Sequence, residues 1–208
     1  MNTKFAEEII WLYGEAVTVN CGAIHDYLGM DFDFSPENQV KISMIKHICK
    51  IFDTFPEEIG KPCECPAGDN LFRTRDLPGH KLPEEQARAF HHTVAQLLFL
   101  AMRARPDIQT AISFLTKRAR EPDEDDWGKL KRVLQYLKGT KHIKLTLTVD
   151  NVSNICWWVH ASYGAHMDLK GCTGIMMSLC AGAAMSFSRG QKLNVKSSTK
   201  CELVVLTM

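Results

Sequence analysis

Phosphoryl-transfer chemistry needs clustered carboxylates, because two magnesium ions must be held by hard oxygen ligands in near-octahedral geometry. In these 208 residues the only adjacent aspartate pair is Asp125-Asp126. It follows Asp123 and Glu124 at the expected start of a helix, where capping and the positive end of the helix dipole account for the acids. Cys63 and Cys65 are closer in sequence than the usual zinc-ligand spacing. His160, His166 and Cys172 recur every six residues, a rhythm that a strand–turn–strand does not bring to one point. No Gly-x-Ser-x-Gly nucleophile motif is present. The cations Lys129, Lys131, Arg132 and Lys138 form a set that suits phosphate contacts, and equally the solvated face of a core helix.

The elements that must position these groups follow from periodicity. Residues 3–13 predict a short amphipathic helix with Phe5, Ile9, Ile10 and Leu12 to one side, stopped by Gly14. Val17 and Val19 suggest a short strand and Cys21-Gly22 a turn. Ile24 to Phe34 alternates as one strand, Ser35-Pro36-Glu37-Asn38 turns, and Gln39 to Ile42 returns. Ser43 is the expected cap of a helix to Phe55. Residues 56–83 carry four prolines and three glycines at 56, 60, 62, 66, 68, 78 and 79, with a further proline at 83, and predict a long loop or linker. Helices are expected at 84–103, 107–120 and 124–138, with Pro106 in the first turn of the second, Asp123 capping the third and Gly139 ending it. In the third, Trp127, Leu130, Val133, Leu134 and Leu137 share a face, and the four cations fall outside it.

Beyond residue 140 the period changes to alternation. Ile143, Leu145, Leu147 and Val149 point one way, and strands are expected to continue at 154–161, 173–180 and 183–188. Ser197-Ser198-Thr199 can cap a last helix running to Met208. Hydrophobic content of 45%, charged content of 24% and a net charge of +1 are ordinary for a globular chain and select no partner. The N-terminus is not a secretory signal, and the longest apolar run, Val94 to Met102, is too short for a bilayer. The eight cysteines read as free thiols in a reducing, intracellular compartment, cytoplasmic or nuclear.

Several segments together resemble copia-type retrotransposon polyproteins. Tyr27-Leu28-Gly29-Met30-Asp31-Phe32 is similar to the segment that begins the primer-holding hairpin, and Lys41-Ile42-Ser43 with Lys46-His47-Ile48 to the stretch leading into the thumb. Leu97-Leu98-Phe99-Leu100 with Arg105-Pro106-Asp107-Ile108 resembles another block of the family. The run from Trp127 to Thr140 resembles its W-x-x-x-K-R-V-L-R-Y-L-K-G-T block at length. Trp157-Trp158-Val159-His160-Ala161-Ser162, Lys170-Gly171-Cys172-Thr173-Gly174, Ser188-Arg189-Gly190-Gln191-Lys192 and Lys196 to Leu203 resemble, in order, the start of the family's ribonuclease H domain.

The resemblance implies an α+β fold in three parts. Residues 1–83 would be the end of the reverse-transcriptase palm with hairpin, helix and linker. Residues 84–140 would be a helical thumb and connection, and residues 141–208 a truncated ribonuclease H-like mixed sheet. Tyr27, Leu28, Gly29 and Met30 would form the primer hairpin. Lys129, Lys131, Arg132 and Lys138 would meet an RNA–DNA hybrid or duplex, weakly and without sequence preference. Family members use magnesium, but the polymerase's Tyr-x-Asp-Asp turn is absent here. The first ribonuclease H acid is replaced by His160, Glu202 matches the second as a vestige, position 200 is Lys200, and later acids would fall past Met208. No bound cofactor or metal is therefore expected. Asp168 falls in a turn where relatives often carry an acid, and Ser188-Arg189 with Gln191-Lys192 could reach a phosphate, although a surface turn explains both. The expected chain is a catalytically silent remnant, or alternatively a non-catalytic nucleic-acid-binding or polymerase-docking module. No membrane association is expected, and self-association through the incomplete sheet is.

Overall fold

The computed structural model describes residues 3–14, 22–73, 80–148, 154–164 and 170–206. The expected strand at Val17 and Val19 and the Cys21 turn lie outside them, as do Val149, His166 and Asp168. The fold is α+β, with two antiparallel sheets, most of the helices falling in sequence between the third and fourth strands of the first sheet. No helix among the described residues is long and apolar enough to cross a membrane.

After α1 (Thr3–Tyr13), whose Ile10 and Leu12 remain exposed, the predicted single strand from Ile24 is instead a hairpin. Strands β1 (Ile24–Tyr27) and β2 (Met30–Asp33) pair antiparallel, and Leu28-Gly29 makes the two-residue turn with φ of 53° and 74°. Positive φ at both positions matches the right-handed twist of the flanking strands. Gly29 takes that conformation freely, whereas Leu28 takes it at a cost. Strand β3 (Gln39–Ser43) returns against β2. Ser43 is therefore the strand's last residue and not a helix cap. Helix α2 (Ile45–Thr54) starts after Met44, with no side-chain cap.

Three helices build the main core: α3 (Glu84–Arg103), α4 (Gln109–Arg118) and α5 (Glu124–Thr140). Pro106–Ile108 is a separate 3₁₀ turn ahead of α4, which suits the fixed φ of proline. Asp123 caps α5 as read from sequence, in a reciprocal box: its side chain accepts from Asp126 N at 2.9 Å, and Asp126 accepts from Asp123 N at 3.1 Å. Gly139 does not end this helix. It lies inside it, where a Cβ would sit 3.1 Å from Pro62 Cβ, so glycine there admits the long loop. That loop is packed onto the core: Ile59, Leu71 and Leu82 are buried with Phe90, Leu97, Leu115, Leu130 and Leu134.

The junction between α3 and α4 is fixed by a buried guanidinium. Arg105, 2% exposed, donates through Nε at 2.9 Å and Nη2 at 2.7 Å to Asp107, and to Thr140 O and Oγ1 at 2.9 and 2.8 Å. Tyr136 donates its hydroxyl to Asp107 at 2.8 Å and lies under the guanidinium.

Strand β4 (Leu145–Thr148), read from sequence as opening the C-terminal part, pairs with β3 and completes a sheet of order β1-β2-β3-β4. The second sheet is β5 (Cys156–Ser162), β6 (Cys172–Ser178) and β7 (Met185–Gly190), in that order. Helix α6 (Ser198–Leu206) packs on β5, with Ser197 Oγ accepting from Lys200 N at 3.3 Å as its cap. The sheets meet where Thr148 N donates to Ala181 O and Ala181 N to Thr148 Oγ1, both at 3.1 Å. The second sheet's own core is small. It consists of Ala161, Cys201 and Val205, with Val159, Ile175 and Val195 against them.

Two outcomes follow. Amide exchange should be slowest in α3, α4 and α5 and faster from Cys156 onward, with β4 sharing the protection of β3; uniform protection through β7 and α6 would show that the small core is sufficient. Replacing Arg105 by Met should cost about 3–5 kcal/mol in chemical denaturation, because it strands the Asp107 carboxylate. Burial pushes the Asp107 carboxyl up, but the Arg105 hydrogen bonds and charge outweigh it, and the net direction is down. A depressed carboxyl gives stability that is present above its unfolded value, about pH 4, and is lost as pH falls through the folded value. Without Arg105 its hydrogen bonds and charge are lost while burial remains, so the folded value should move up and this group's contribution to stability should shrink. Carboxyl titration of Asp107 by NMR reads the sign directly.

Candidate functional site

His160 is on β5 and Glu202 on the first turns of α6. The fold brings them together: Glu202 Oε1 lies 3.4 Å from His160 Nδ1 and accepts from Ala161 N at 3.1 Å. A buried polar cluster holds the helix in that place. Gln191 donates to Thr173 Oγ1 at 3.1 Å and to Cys201 O at 3.0 Å, and accepts from Cys201 Sγ at 3.1 Å. All three residues are buried. A Cβ on Gly171 would lie 2.6 Å from Ser162 O and 2.7 Å from both Cys201 Sγ and Gln191 Oε1, so only glycine fits. Burial and the neighbouring Glu202 push the Cys201 thiol up, which keeps it protonated and unreactive.

Gln191 is therefore neither a phosphate contact nor a surface-turn residue, the two roles its sequence position suggested. No local signal marks it, because its partners come from β6 and α6. Ser188, by contrast, lines an open groove of about 600 Å³ with Trp158, His160, Gly174, Met176 and Ser186, walled by Pro106, Gln109 and Thr110. Gln109 Nε2 donates to Ser186 O at 2.8 Å and ties α4 to β7 along this wall.

The donor set beside the groove does not suit magnesium. One carboxylate faces an imidazole, which is a poor ligand for a hard cation when neutral and repels it when protonated. Among the described residues no three His, Cys, Asp or Glu side chains are grouped to hold a metal. The adjacent Asp125-Asp126 pair has structural partners. Asp125 pairs with Lys129 at 2.8 Å, and Asp126 pairs with Arg118 at 2.9 Å beside its capping role. Cys63 Sγ donates to Cys65 O at 3.3 Å.

The cationic set differs from its reading as the outside of α5. Lys129 is buried: its Nζ donates to Arg73 O at 2.6 Å and lies 4.8 Å from the centre of the Phe114 ring. Lys131 pairs with Glu57 at 2.7 Å, a carboxylate that also accepts from Trp127 Nε1 at 2.9 Å. The Lys131 hydrogen bond holds the Glu57 carboxyl below its ordinary value. Lys138 donates to Ile59 O at 2.7 Å and Gly60 O at 3.2 Å. Arg132 is exposed. Helical spacing put these residues off the apolar face, but could not show that the 56–73 loop meets Lys129, Lys131 and Lys138.

The hairpin tip presents Tyr27 and Leu28 to solvent, while Met30, paired with Tyr27 in register, is buried. Lys46 joins the two strands by binding Asp26 and Asp31, each at 3.1 Å. Those contacts, Asp26's first, push the Lys46 ammonium up.

The cation geometry gives a direct comparison. Lys129→Ser should cost about 1–3 kcal/mol, since Asp125 and the Arg73 carbonyl lose a buried donor. Arg132→Ser should change stability by no more than about 0.5 kcal/mol. Equal effects of the two substitutions in urea titrations would contradict the buried position of Lys129.

A putative transposon Ty5-1 protein of Saccharomyces cerevisiae is 29% identical over 169 residues, covering 80% of this chain and 53% of that protein. A secreted RxLR effector protein of Plasmopara viticola is 28% identical over 115 residues, covering 55% of this chain and 81% of the effector. The retrovirus-related Pol polyprotein from transposon RE2 of Arabidopsis thaliana is 27% identical over 180 residues, covering 86% of this chain and 12% of the polyprotein. The chain thus spans about half the length of the yeast relative and a small part of the plant one. No family model matches the chain, and no solved structure matches it. The chain is similar to transposon and retrovirus-related Pol polyprotein sequences over most of its length, which supports a retrotransposon-derived origin.

Proposed function

We propose that the chain derives from the part of a retrotransposon polyprotein that joins the end of the reverse-transcriptase palm, through a helical thumb and connection, to the opening strands of a ribonuclease H domain. The parent activity would be RNA-directed DNA synthesis with processing of the RNA–DNA hybrid. This chain is a non-catalytic remnant of it. The observation that carries the reading is the meeting of positions 160 and 202. The first strand and first helix of the second sheet place Glu202 3.4 Å from His160, where the resemblance calls for two carboxylates. Two-metal hydrolysis needs several carboxylates around the ion pair, and here one carboxylate faces an imidazole.

Nucleic-acid contact, in the same reading, is weak and independent of sequence. Lys129, Lys131 and Lys138 direct their ammonium groups to Asp125, Glu57 and loop carbonyls, and Arg132 and Lys138 are the exposed residues of the set. Binding of that kind falls steeply with salt.

The test is cleavage of a labelled RNA–DNA hybrid in magnesium by the purified 208-residue chain. No cutting is expected, and His160→Asp alone should not restore it, because two carboxylates do not make a two-metal site. Metal-dependent cutting that disappears in Glu202→Ala would overturn the proposal.

A further inference from the structure

Strand β5 forms one edge of the second sheet, and β6 pairs it on one side only. The direction of its outer hydrogen-bonding groups can be read from neighbouring bonds. Met177 O accepts from Ala184 N, and Gly171 O from Gln191 N, so these alternate β6 residues face β7. Their partners on β5, Trp157 opposite Met177 and the residues in step with it, Val159 and Ala161, therefore turn their N–H and C=O groups outward. The Glu202 carboxylate occupies the Ala161 N–H. It stops the edge there, and among the described residues nothing pairs with the outward groups of Ile155–Val159. That stretch, Ile-Cys-Trp-Trp-Val, has no charge and no proline, the devices that normally blunt an edge strand. Ile155, Trp157 and Trp158 are about half exposed, and Leu203 and Leu206 of α6 are exposed too.

We propose that this edge is the docking surface for a second copy of the chain, pairing antiparallel with its own twin about a dyad at Trp157. Self-complementarity argues for the twin. With Trp157 on the axis, Ile155 faces Val159 of the other copy and Cys156 faces Trp158, so every outward group from Ile155 to Val159 finds a partner in one register. A shift toward the C-terminal end of β5 would require Glu202 to leave Ala161. A shift by one residue would set outward groups against inward ones. Trp157 meeting Trp157 adds an aromatic cross-strand pair. The contact does not depend on the proposed ancestry, since it uses only the open edge and the Glu202 cap.

The experiment is sedimentation velocity of the full chain under reducing conditions across a concentration series. A concentration-dependent dimer is expected. Trp157→Lys sets two ammonium groups face to face at the axis and should raise the dissociation constant by about tenfold or more. Trp11→Lys, at an exposed tryptophan of α1, should leave it unchanged and controls for general stickiness. A second arm holds if Trp157→Lys fails to fold. In Trp158→Cys the introduced thiol faces Cys156 of the twin at a non-hydrogen-bonded pair, about 4.5 Å between Cα atoms, within disulfide reach. Oxidation should give a covalent dimer, and adding Cys156→Ser should abolish it. A monomer at every concentration, a dimer indifferent to Trp157→Lys, or a crosslink that survives Cys156→Ser would each overturn the proposal.

Discussion

The structure turns on one buried cation. Arg105 leaves α3, passes under the main core and ends between Asp107 and the last turn of α5. An α-helix leaves its final carbonyls without intrahelical donors, and Arg105 supplies one to Thr140 O. The same group thus closes α5, opens the 3₁₀ turn before α4 and orients Tyr136. Two consequences follow for everything C-terminal. The chain leaves α5 in a direction that brings β4 beside β3. Helix α4 starts where Gln109 can reach Ser186 and hold β7. The groove next to His160 is therefore walled by residues that Arg105 places without touching them. An uncompensated guanidinium in this position would be costly, and the fork of carboxylate, carbonyl and hydroxyl compensates it.

The same network explains how much was legible in the sequence. Asp123 three residues before Asp126, and the apolar rhythm from Trp127 to Leu137, were sufficient for α5 and its cap, because both are local. The alternation after residue 140 gave the strands for the same reason. Pairing is not local. Nothing in Leu145 to Thr148 says that the strand joins β3 rather than β5, a choice made by the direction in which α5 ends. Alternation alone ran Ile24 to Phe34 into one strand, because the first turn residue at Leu28-Gly29 is a leucine, where Asn or Asp would have signalled positive φ; only the family resemblance put a hairpin there. Ser43 has a capping side chain, but register against Asp31 keeps it in β3. Lys129 lies outside the apolar stripe on a helical wheel, and the return of the 56–73 loop, together with Phe114 of α4, buries it.

For the candidate site, the pairing of His160 with Glu202 was legible through the order of the C-terminal segments, and the means of holding them was not. Gln191, Thr173, Cys201 and Gly171 come from three elements and form one buried cluster. Each looks unremarkable alone: a polar residue at a strand end, a small cysteine, one glycine among several. Their function is collective, since a buried amide is tolerable only when its donors and acceptors are all met. Gln191 meets that demand with a hydroxyl, a carbonyl and a thiol, and the helix that provides two of the three is the one that carries Glu202.

Glu202 and His160 are physically unequal partners. The His160 side chain is 82% exposed and no element packs over it, so a change of residue there costs the fold little. Glu202 accepts the Ala161 N–H at a sheet edge as well as facing the imidazole. Losing that acceptor opens another rung of an edge that already lacks charge and proline, and an open apolar edge invites association with other chains. If the chain descends from an enzyme, a carboxylate with a second, structural duty is harder to remove than one whose only duty was a metal. A histidine at position 160 beside a glutamate at position 202 is the outcome that asymmetry favours. Glu202 in any case bears on the fold, by setting how far along β5 another strand can pair.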